Sequence, residues 1–284
     1  MPRSMNDHLN MANYLDLMTQ LARDAGLEIL SVYSDDDYGL EIKGDNSPLT
    51  RADLAAHRII VSGLSKAAPE IPILSEESAD ISWNERSSWD RYFLVDPLDG
   101  TKEFISGNGE FTVNIAFIEN GIPLAGVVYV PVKDVLYRAD QTRGLSTVTR
   151  DGVEKSIRTR RLQENHPLVI VASRRHGGEA MGKCLAVLET HFSAIESTNM
   201  GSSLKLCLIA EGKADLYPRL APTSEWDTAA AQAIVEAAGG RVVDLDLDVL
   251  RYNSKPDVLN PFFYVLGDTQ FDWSAILSHV QLDL

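Results

Sequence analysis

The stretch LVDPLDGTKEF (94–104) decides how the rest of this sequence is interpreted. An apolar run of strand type ends here, and two aspartates, Asp96 and Asp99, follow it closely with a proline between them. Proline fixes φ, and Gly100 permits backbone conformations that are unfavourable for other residues. The stretch therefore predicts a buried strand that ends in a sharp turn, with both carboxylates facing one site.

Two further oxygen atoms of this turn fit the same site. The carbonyl of Leu98 lies between the aspartates and is a natural ligand for a hard cation. The hydroxyl of Thr101 follows, where it could hold a water molecule and pass a proton towards a carboxylate. Two cations about 3.5–4 Å apart would activate a water and stabilise the leaving oxygen of a phosphoryl transfer, without a covalent intermediate.

Acidic residues recur where other predicted elements begin or end. Glu76 and Glu77 follow the apolar run IPIL (71–74), Asp53 opens a predicted helix, and Asp227 starts the last long helix. Like charges about 4 Å apart repel by roughly 4 kcal/mol per pair at an effective dielectric of about 20. Such a set requires either protonation or bound cations. Oxygen ligands without histidine or cysteine favour Mg²⁺.

Each of these features has a plainer explanation when it is taken alone. An Asp-x-x-Asp turn is more often an Asx-type turn than a metal site. The Glu76–Glu77 pair could be a solvated surface, and Asp227 could simply favour a helix dipole. The three features occur together, each after an apolar strand or at the start of a helix. That combination favours one shared site.

Apolar periodicity predicts two halves of different architecture. In the first half, helices over 13–33 and 51–69 precede strands that follow one another too closely for parallel crossovers, so these strands must be antiparallel. They cover 91–95, 111–118, 124–131 and 134–140. In the second half strands and helices alternate, which indicates a layered α/β arrangement with a partly parallel sheet. Its strands cover 168–174, 194–198 and 214–219, and its helices 178–190, 202–212 and 225–240.

A basic, polar segment over 155–167 separates the halves and ends in a proline. We place a domain boundary there, with an α+β N-terminal domain over 1–160 and an α/β C-terminal domain over 161–284. The second domain would carry Asp227 and the substrate contacts. The site residues expected in the first are Asp53, Glu76 and the DPLDGT turn.

Composition limits the classes of function. The 284 residues include 26 lysines and arginines against 41 aspartates and glutamates, and the net charge of −15 argues against nucleic acid or an anionic membrane as partner. No apolar leader or membrane-spanning run is visible, so we expect a cytoplasmic protein. Cys184 and Cys207 lie in apolar stretches and are expected to be buried thiols. The oligomeric state is not indicated.

Together these motifs resemble the inositol monophosphatase superfamily, and more closely its CysQ-type 3′(2′),5′-bisphosphate nucleotidase branch. The likeness extends over about residues 13–265. Inositol-preferring members tend to carry Thr-Asn-Phe where this chain has Lys-Glu-Phe after the turn. The superfamily motifs are DPLDGT (96–101), SEES (75–78) and WDTAAAQAIVEAAGG (226–240). The branch motifs are DNSPLTRAD (45–53), LSEES (74–78), DPLDGTKEF (96–104), NGEFTVNIA (108–116), GVVYVPV (126–132), GSSLK (201–205) and LYPR (216–219).

The resemblance implies a layered αβαβα sugar-phosphatase fold, with an antiparallel N-terminal sheet and a mixed C-terminal sheet, and two or three Mg²⁺ ions. Thr101 and Asp53 would orient and deprotonate the attacking water, with Glu76 as a third catalytic residue. The implied ligands of the first ion are Glu76, Asp96 and the Leu98 carbonyl, and those of the second are Asp96, Asp99 and Asp227. The implied substrate contacts are Glu76, Leu98, Asp99, Gly100, Thr101, Lys205 and Asp227.

The activity implied is Mg²⁺-dependent removal of the 3′-phosphate from adenosine 3′,5′-bisphosphate, giving AMP and phosphate, with Li⁺ inhibition. Adenosine 3′-phosphate 5′-phosphosulfate is a second candidate substrate, and the family allows a peripheral position on the cytoplasmic side of the inner membrane. Lys205, Arg174 and His176 are the candidates for holding a second phosphate. Two departures, Glu225 and the segment 241–256, leave the substrate preference open. The alternatives are an inositol or sugar-phosphate phosphatase and a non-catalytic, metal-dependent nucleotide sensor.

Overall fold

The computed structural model of this chain describes residues 5–35, 39–44, 48–163, 166–172 and 178–282. In the first half, helices alternate with short strands before a run of long strands. The helices are α1 (Met5–Tyr33), α2 (Arg51–Ala67), α3 (Trp83–Arg86) and α4 (Thr101–Ile105). The strands are β1 (Glu41–Ile42), β2 (Pro48–Leu49), β3 (Ile73–Ser75), β4 (Arg91–Asp99), β5 (Thr112–Glu119), β6 (Ile122–Val130), β7 (Val135–Asp140), β8 (Leu145–Arg150) and β9 (Val153–Ser156).

The second half alternates strands with helices as far as its last long helix, as its apolar pattern predicts. The strands are β10 (Leu168–Ala172), β11 (Ile195–Asn199), β12 (Leu216–Arg219), β13 (Arg241–Asp244) and β14 (Phe263–Leu266). The helices are α5 (Glu179–His191), α6 (Leu204–Ala210), α7 (Glu225–Ala237) and α8 (Ser274–Leu277). The elements that follow α7, namely β13, β14 and α8, were not predicted.

Two large sheets carry the fold. The seven-stranded sheet runs in the order β3-β4-β5-β6-β7-β8-β9 and is antiparallel except for the pair β3–β4 at its edge. The five-stranded sheet has the order β11-β10-β12-β14-β13, and it is mixed, because β10 pairs in parallel with β11 and β12 while β14 pairs antiparallel with both neighbours. Both sheet types were predicted.

The layers follow from the alternation of side chains along β4. Phe93 and Val95 point into one core together with α1 and α2. Tyr92 and Leu94 point to the opposite face, into a core shared with α6, α7 and the inner face of the five-stranded sheet. The outer face of that sheet packs against α5 and α8. The predicted αβαβα layering is therefore confirmed.

The two sheets divide the chain between Ser156 and Leu168, within the segment where the sequence analysis places a boundary. Helix α7 nevertheless packs on the seven-stranded sheet of the first half, so both halves contribute to one core. The boundary between separate domains stays a prediction. Cys184 and Cys207 are buried free thiols, as expected. Among the residues that the structure describes, no helix combines the length and apolar character needed to cross a bilayer.

The contact between β6 and α7 yields a test of the packing. A Cβ on Gly126 would lie 2.9 Å from the Cα of Ala230 and closer still to its carbonyl oxygen. Gly126→Ala must therefore push α7 away from the seven-stranded sheet. We expect the free energy of unfolding to fall by about 1–3 kcal/mol, measured by urea denaturation.

A glycine in an open position provides the matched control. Gly182 lies in α5, and a Cβ there meets nothing within 4 Å. Gly182→Ala should raise the free energy of unfolding by about 0.5–1 kcal/mol, because alanine loses less backbone entropy in a helix. Equal effects of the two substitutions would contradict the close approach at Gly126.

Candidate metal and phosphate site

A β-bulge brings the two aspartates of β4 to the same side. In a regular strand, residues three positions apart point to opposite faces. Asp96 pairs with Asn114 and Asp99 pairs with Thr112, so two residues of β4 stand opposite one residue of β5. The extra residue interrupts the alternation of side chains along β4, so that Asp96 and Asp99 point to the same side. The convergence of both carboxylates on one site therefore depends on the bulge.

The turn after β4 is shaped by Gly100. Its φ of +93° lies in the left-handed region, and a Cβ there would overlap the hydroxyl of Ser202. Glycine avoids both the backbone strain and the overlap. The same stretch begins with a hydrogen bond of 3.0 Å from the Leu98 N–H to Asp96 Oδ1. This contact is an Asx-type turn, the plainer explanation of the Asp-x-x-Asp pattern. The turn is therefore present together with the carboxylate cluster.

The structure brings three of the four predicted carboxylate ligands together. Asp96, Asp99 and Asp227 each offer an oxygen within 4.8 Å of the others. Asp227 arrives on the first turn of α7, where its Oδ2 accepts a hydrogen bond of 2.9 Å from the N–H of Ser224. Asp96 is buried, with 1% of its surface exposed. Three carboxylate oxygens and no nitrogen or sulfur suit a hard divalent cation.

Burial and mutual repulsion change the acidity of this cluster. Burial, followed by the charges of Glu76, Asp99 and Asp227, raises the pKa of Asp96 well above its ordinary value. Burial, followed by the charges of Asp99 and Glu76, raises the pKa of Asp227 to about 8. Burial also raises the pKa of Asp99, although Lys205 opposes this shift.

Glu76 lies beside this cluster and is bound by a lysine. Lys43 Nζ is 2.8 Å from Oε1 of Glu76 and 2.6 Å from Oε1 of Glu77. The charge of Glu76 nevertheless acts on Asp96, which indicates its proximity to the three aspartates. Lys43 was not predicted from the sequence, and it provides a third way to relieve the repulsion between acidic side chains, besides protonation and bound cations.

The predicted water-activating pair is also brought together. Thr101 Oγ1 donates to Asp53 Oδ1 at 3.2 Å. The other oxygen of Asp53 accepts from the Thr50 N–H at 2.7 Å and from the Thr50 hydroxyl at 2.6 Å, which closes a capping box at the start of α2. Asp53 is buried, and this burial raises its pKa. Local helix capping thus fixes the orientation of the carboxylate that Thr101 contacts.

A loop from the second half holds Asp99 in place. Its Oδ2 accepts a 2.6 Å hydrogen bond from the N–H of Ser203 and longer ones of 3.4 Å from Thr112 and Asn114. Ser202 Oγ lies 2.9 Å from the Asp99 carbonyl. Thr112 and Asn114 were not predicted as site residues, because in the sequence they look like ordinary residues of β5. Only the bulge turns Asp99 towards them.

A cavity of about 320 Å³ opens beside the carboxylates and is partly lined by basic side chains. Its charged lining residues are Asp99, Lys102, Glu103, Lys205, Arg219 and Asp227, and Gly100 lines it as well. Lys205 lines the same cavity as these carboxylates, and its contact with a substrate stays a prediction. Arg219 belongs to the LYPR motif, but the sequence analysis gave it no role.

Two of these cations are held by backbone carbonyls. Lys205, 9% exposed, donates from Nζ to the carbonyl of Ser202 at 2.7 Å. Arg219 donates from Nη2 to the carbonyl of Pro222 at 2.7 Å, and its buried Nε has no hydrogen-bond partner in the described part of the chain. Arg174 and His176, the other candidates for a second phosphate, lie outside the described residues.

Known proteins resemble this chain over most of its length. A model described as the inositol monophosphatase family matches residues 10–269. The 3′(2′),5′-bisphosphate nucleotidase CysQ of Shigella flexneri is 48% identical over 253 residues, which covers 88% of this chain and 98% of the relative. The protein of the same name from Haemophilus influenzae is 33% identical over 273 residues, 96% of this chain and 98% of the relative.

Solved structures agree with these similarities. The crystal structure of CysQ from Bacteroides thetaiotaomicron, described as a bacterial member of the inositol monophosphatase family, has a TM-score of 0.79 at 41% identity and covers 90% of this chain and 98% of its own. An inositol monophosphatase from Zymomonas mobilis has a TM-score of 0.74 at 24% identity, covers 99% of this chain and 100% of its own, and supports the fold alone.

The raised acidity of the cluster predicts how stability depends on pH without metal. A carboxyl whose pKa is higher in the folded chain than in the unfolded chain stabilises the fold while protonated, and this stabilisation is lost as pH rises through the folded pKa. For Asp227 that value is about 8. The Tm of the protein in a chelator should therefore fall as pH rises from about 4, near the ordinary pKa of an aspartate, to about 8.

The control for this measurement removes one of the titrating groups. Asp227→Asn should flatten the fall in Tm, because the amide carries no charge at either pH. Coincident pH profiles for the two proteins would show that Asp227 does not titrate in this range.

Proposed function

The chain belongs to the inositol monophosphatase family, and from this membership we propose that it is a 3′(2′),5′-bisphosphate nucleotidase that converts adenosine 3′,5′-bisphosphate to AMP and phosphate. The observation that carries the proposal is the cavity itself. It is lined both by carboxylates of the cluster and by the cations Lys102, Lys205 and Arg219. A substrate with two phosphates can place one at the carboxylates, through bound cations, and the other at the basic side chains. We propose the cytoplasm as the place of the reaction.

We propose that divalent cations, two or three Mg²⁺ ions, bind at Asp96, Asp99, Asp227, Glu76 and the Leu98 carbonyl. Such cations make a water molecule more acidic and stabilise charge on the leaving oxygen of a phosphate ester. For Glu76 to take part, Lys43 has to give up its contact with that carboxylate. Lys43 can keep its shorter contact, with Glu77.

Thr101 and Asp53 are proposed to move the proton of the attacking water. Thr101 already donates a hydrogen bond from its hydroxyl to Asp53, so its oxygen can accept a hydrogen bond from the water. As the water attacks phosphorus, its proton passes to the threonine oxygen and the threonine proton passes to Asp53. The raised pKa of Asp53 makes its carboxylate a better acceptor.

The scissile phosphate is proposed to lie against the backbone amides of Gly100 and Thr101, at the start of α4. The first amides of a helix point outwards along its axis and favour an anion. The left-handed backbone at Gly100 gives this turn its shape. Lys205 and Arg219, which line the same cavity, would hold the 5′-phosphate, and the 5′-phosphosulfate of the second candidate substrate could occupy the same place.

A substrate panel tests the proposed activity. With Mg²⁺ present, we expect kcat/KM for adenosine 3′,5′-bisphosphate to exceed that for inositol 1-phosphate by about 10-fold or more, since one lost charge-assisted hydrogen bond is equivalent to about 1.5–3 kcal/mol. Added Li⁺ should lower the rate. A preference for inositol 1-phosphate would support the inositol phosphatase alternative, and tight nucleotide binding without phosphate release would support the sensor.

Lys205→Met tests how the second phosphate is held. The substitution keeps an unbranched side chain but removes its charge. We expect KM for adenosine 3′,5′-bisphosphate to rise by about 10-fold, while KM for adenosine 3′-monophosphate stays nearly constant. Lys213→Met is the matched control, because Lys213 is an exposed lysine outside the cavity and should leave both values unchanged. Equal increases in KM for the two substrates would show that Lys205 does not hold the second phosphate.

A further inference from the structure

A buried carboxylate stands behind the candidate site without facing its cavity. Glu225 is the first residue of α7, two positions before Asp227, and only 1% of its surface is exposed. Both of its carboxylate oxygens accept from the N–H of Asn253, each at 3.0 Å. Its own N–H donates to the carbonyl of Val258 at 2.8 Å. Glu225 therefore ties the start of α7 to residues 253–260, which we name the 253–260 loop.

An arginine from the first half holds this loop. Arg86 is buried, and its Nη1 donates to Asn253 Oδ1 at 2.5 Å, while Asn253 Nδ2 donates to the Arg86 carbonyl at 2.5 Å. The guanidinium also donates to the carbonyl of Pro256 and lies 4.8 Å from the centre of the Trp83 ring. Asn253 has a φ of +50°, a conformation that asparagine tolerates better than most residues. The contacts between Arg86 and Asn253 thus fix the position of the Asn253 N–H, which both oxygens of Glu225 share.

The far end of the loop holds the residue that caps α7. Asn260 Nδ2 donates to the Ser224 carbonyl at 2.8 Å and to Thr228 Oγ1 at 3.0 Å. Ser224 in turn donates its N–H to Asp227 Oδ2 at 2.9 Å. A shift of the 253–260 loop would therefore move the cap, and the cap carries the hydrogen bond that orients the Asp227 carboxylate.

We propose that Glu225 is a positioning residue for Asp227, and that it acts by locking the first turn of α7 to the 253–260 loop and Arg86. The inference rests on the proposed function in one respect, namely that Asp227 binds a cation. Mg²⁺ requires nearly ideal octahedral geometry with oxygens at about 2.0–2.1 Å, so a small displacement of one ligand weakens binding. Groups that orient metal ligands typically change affinity by about 10–100-fold when they are altered.

This role explains the two departures from the family pattern. The extra carboxylate at the start of α7 does not line the cavity, because it is buried against the 253–260 loop. The segment 241–256 supplies Asn253, whose N–H donates to both oxygens of that carboxylate. Both departures therefore concern the placement of Asp227, and neither is a direct contact with substrate.

The test measures metal binding as well as activity. Glu225→Gln keeps the size of the side chain but places an amide N–H₂ where one oxygen accepts from Asn253. We expect the Kd for Mg²⁺, measured by calorimetry on chelator-treated protein well below its Tm, to rise by about 10-fold. At saturating Mg²⁺, KM for the nucleotide should stay unchanged, since Glu225 does not contact the substrate.

Two further variants separate positioning from simple destabilisation. Glu236→Gln alters another glutamate of α7, which accepts from Gln141 at 2.8 Å and Gln232 at 3.0 Å, and should lower the Tm without changing the Kd for Mg²⁺. Asn253→Gly keeps the backbone N–H and the positive φ but removes the links to Arg86. It should weaken Mg²⁺ binding in the same direction, and it serves as the test variant if Glu225→Gln does not fold.

Asp227→Asn distinguishes failure of the inference from failure of the proposed function. If Asp227→Asn leaves the Kd for Mg²⁺ unchanged, Asp227 is not a metal ligand and the proposed metal site is wrong. If Asp227→Asn weakens binding while Glu225→Gln and Asn253→Gly keep the wild-type Kd, the positioning role is overturned. A Kd raised equally by Glu236→Gln would also overturn it, because the effect would then be general to α7.

Discussion

The repulsion between carboxylates at the end of β4 is the constraint on which the rest of the site depends. Burial holds the pKa of Asp96, Asp99 and Asp227 above its ordinary value, and nearby carboxylates add to the shift: the other cluster residues for Asp96 and Asp227, and Glu103 for Asp99. Each is nevertheless fixed by a backbone N–H, so the fold keeps the three charges together. The three amides belong to Leu98, Ser203 and Ser224. Holding three carboxylates together in this way costs stability, and such a cost is common at functional sites.

The middle helix layer explains how three separate segments meet at this point. The end of β4 and its bulge come from the seven-stranded sheet, while α6 and α7 lie between that sheet and the five-stranded one. The loop before α6 supplies Ser203, and the first turn of α7 supplies Asp227. Because both helices begin beside the end of β4, their first residues face the aspartates. The αβαβα layering therefore positions the site as well as building the core.

Much of this arrangement could be predicted from the sequence, and the omissions have physical causes. The long helices and the central strands show clear apolar periodicity, and the DPLDGT turn carries its own chemistry. Strand β9 was missed because all four of its residues are exposed at the sheet edge, so no alternation of apolar residues marks it. The ion pair of Lys43 with Glu76 joins residues 33 positions apart, and no local pattern encodes such a contact. The bulge at Asp96 and Asp99 depends on pairing with β5, which a strand pattern alone does not reveal.

The distribution of cations around the carboxylates bears on which substrate the site selects. In a chain with a net charge of −15, Lys43 lies on Glu76 and Glu77, whereas Lys205 and Arg219 line the cavity. Lys205 is nearly buried, and burial lowers its pKa because the charged form loses hydration. A substrate with one phosphate leaves these cavity cations without a second phosphate to bind, and Lys205 then has only nearby carboxylates, Asp99 first among them, to offset its burial. A site built around buried polar groups discriminates strongly against an analogue that leaves them unpaired. In the proposed reaction, the preference for a bisphosphate therefore arises as much from the cost of leaving Lys205 buried without a phosphate as from any attraction to the second phosphate.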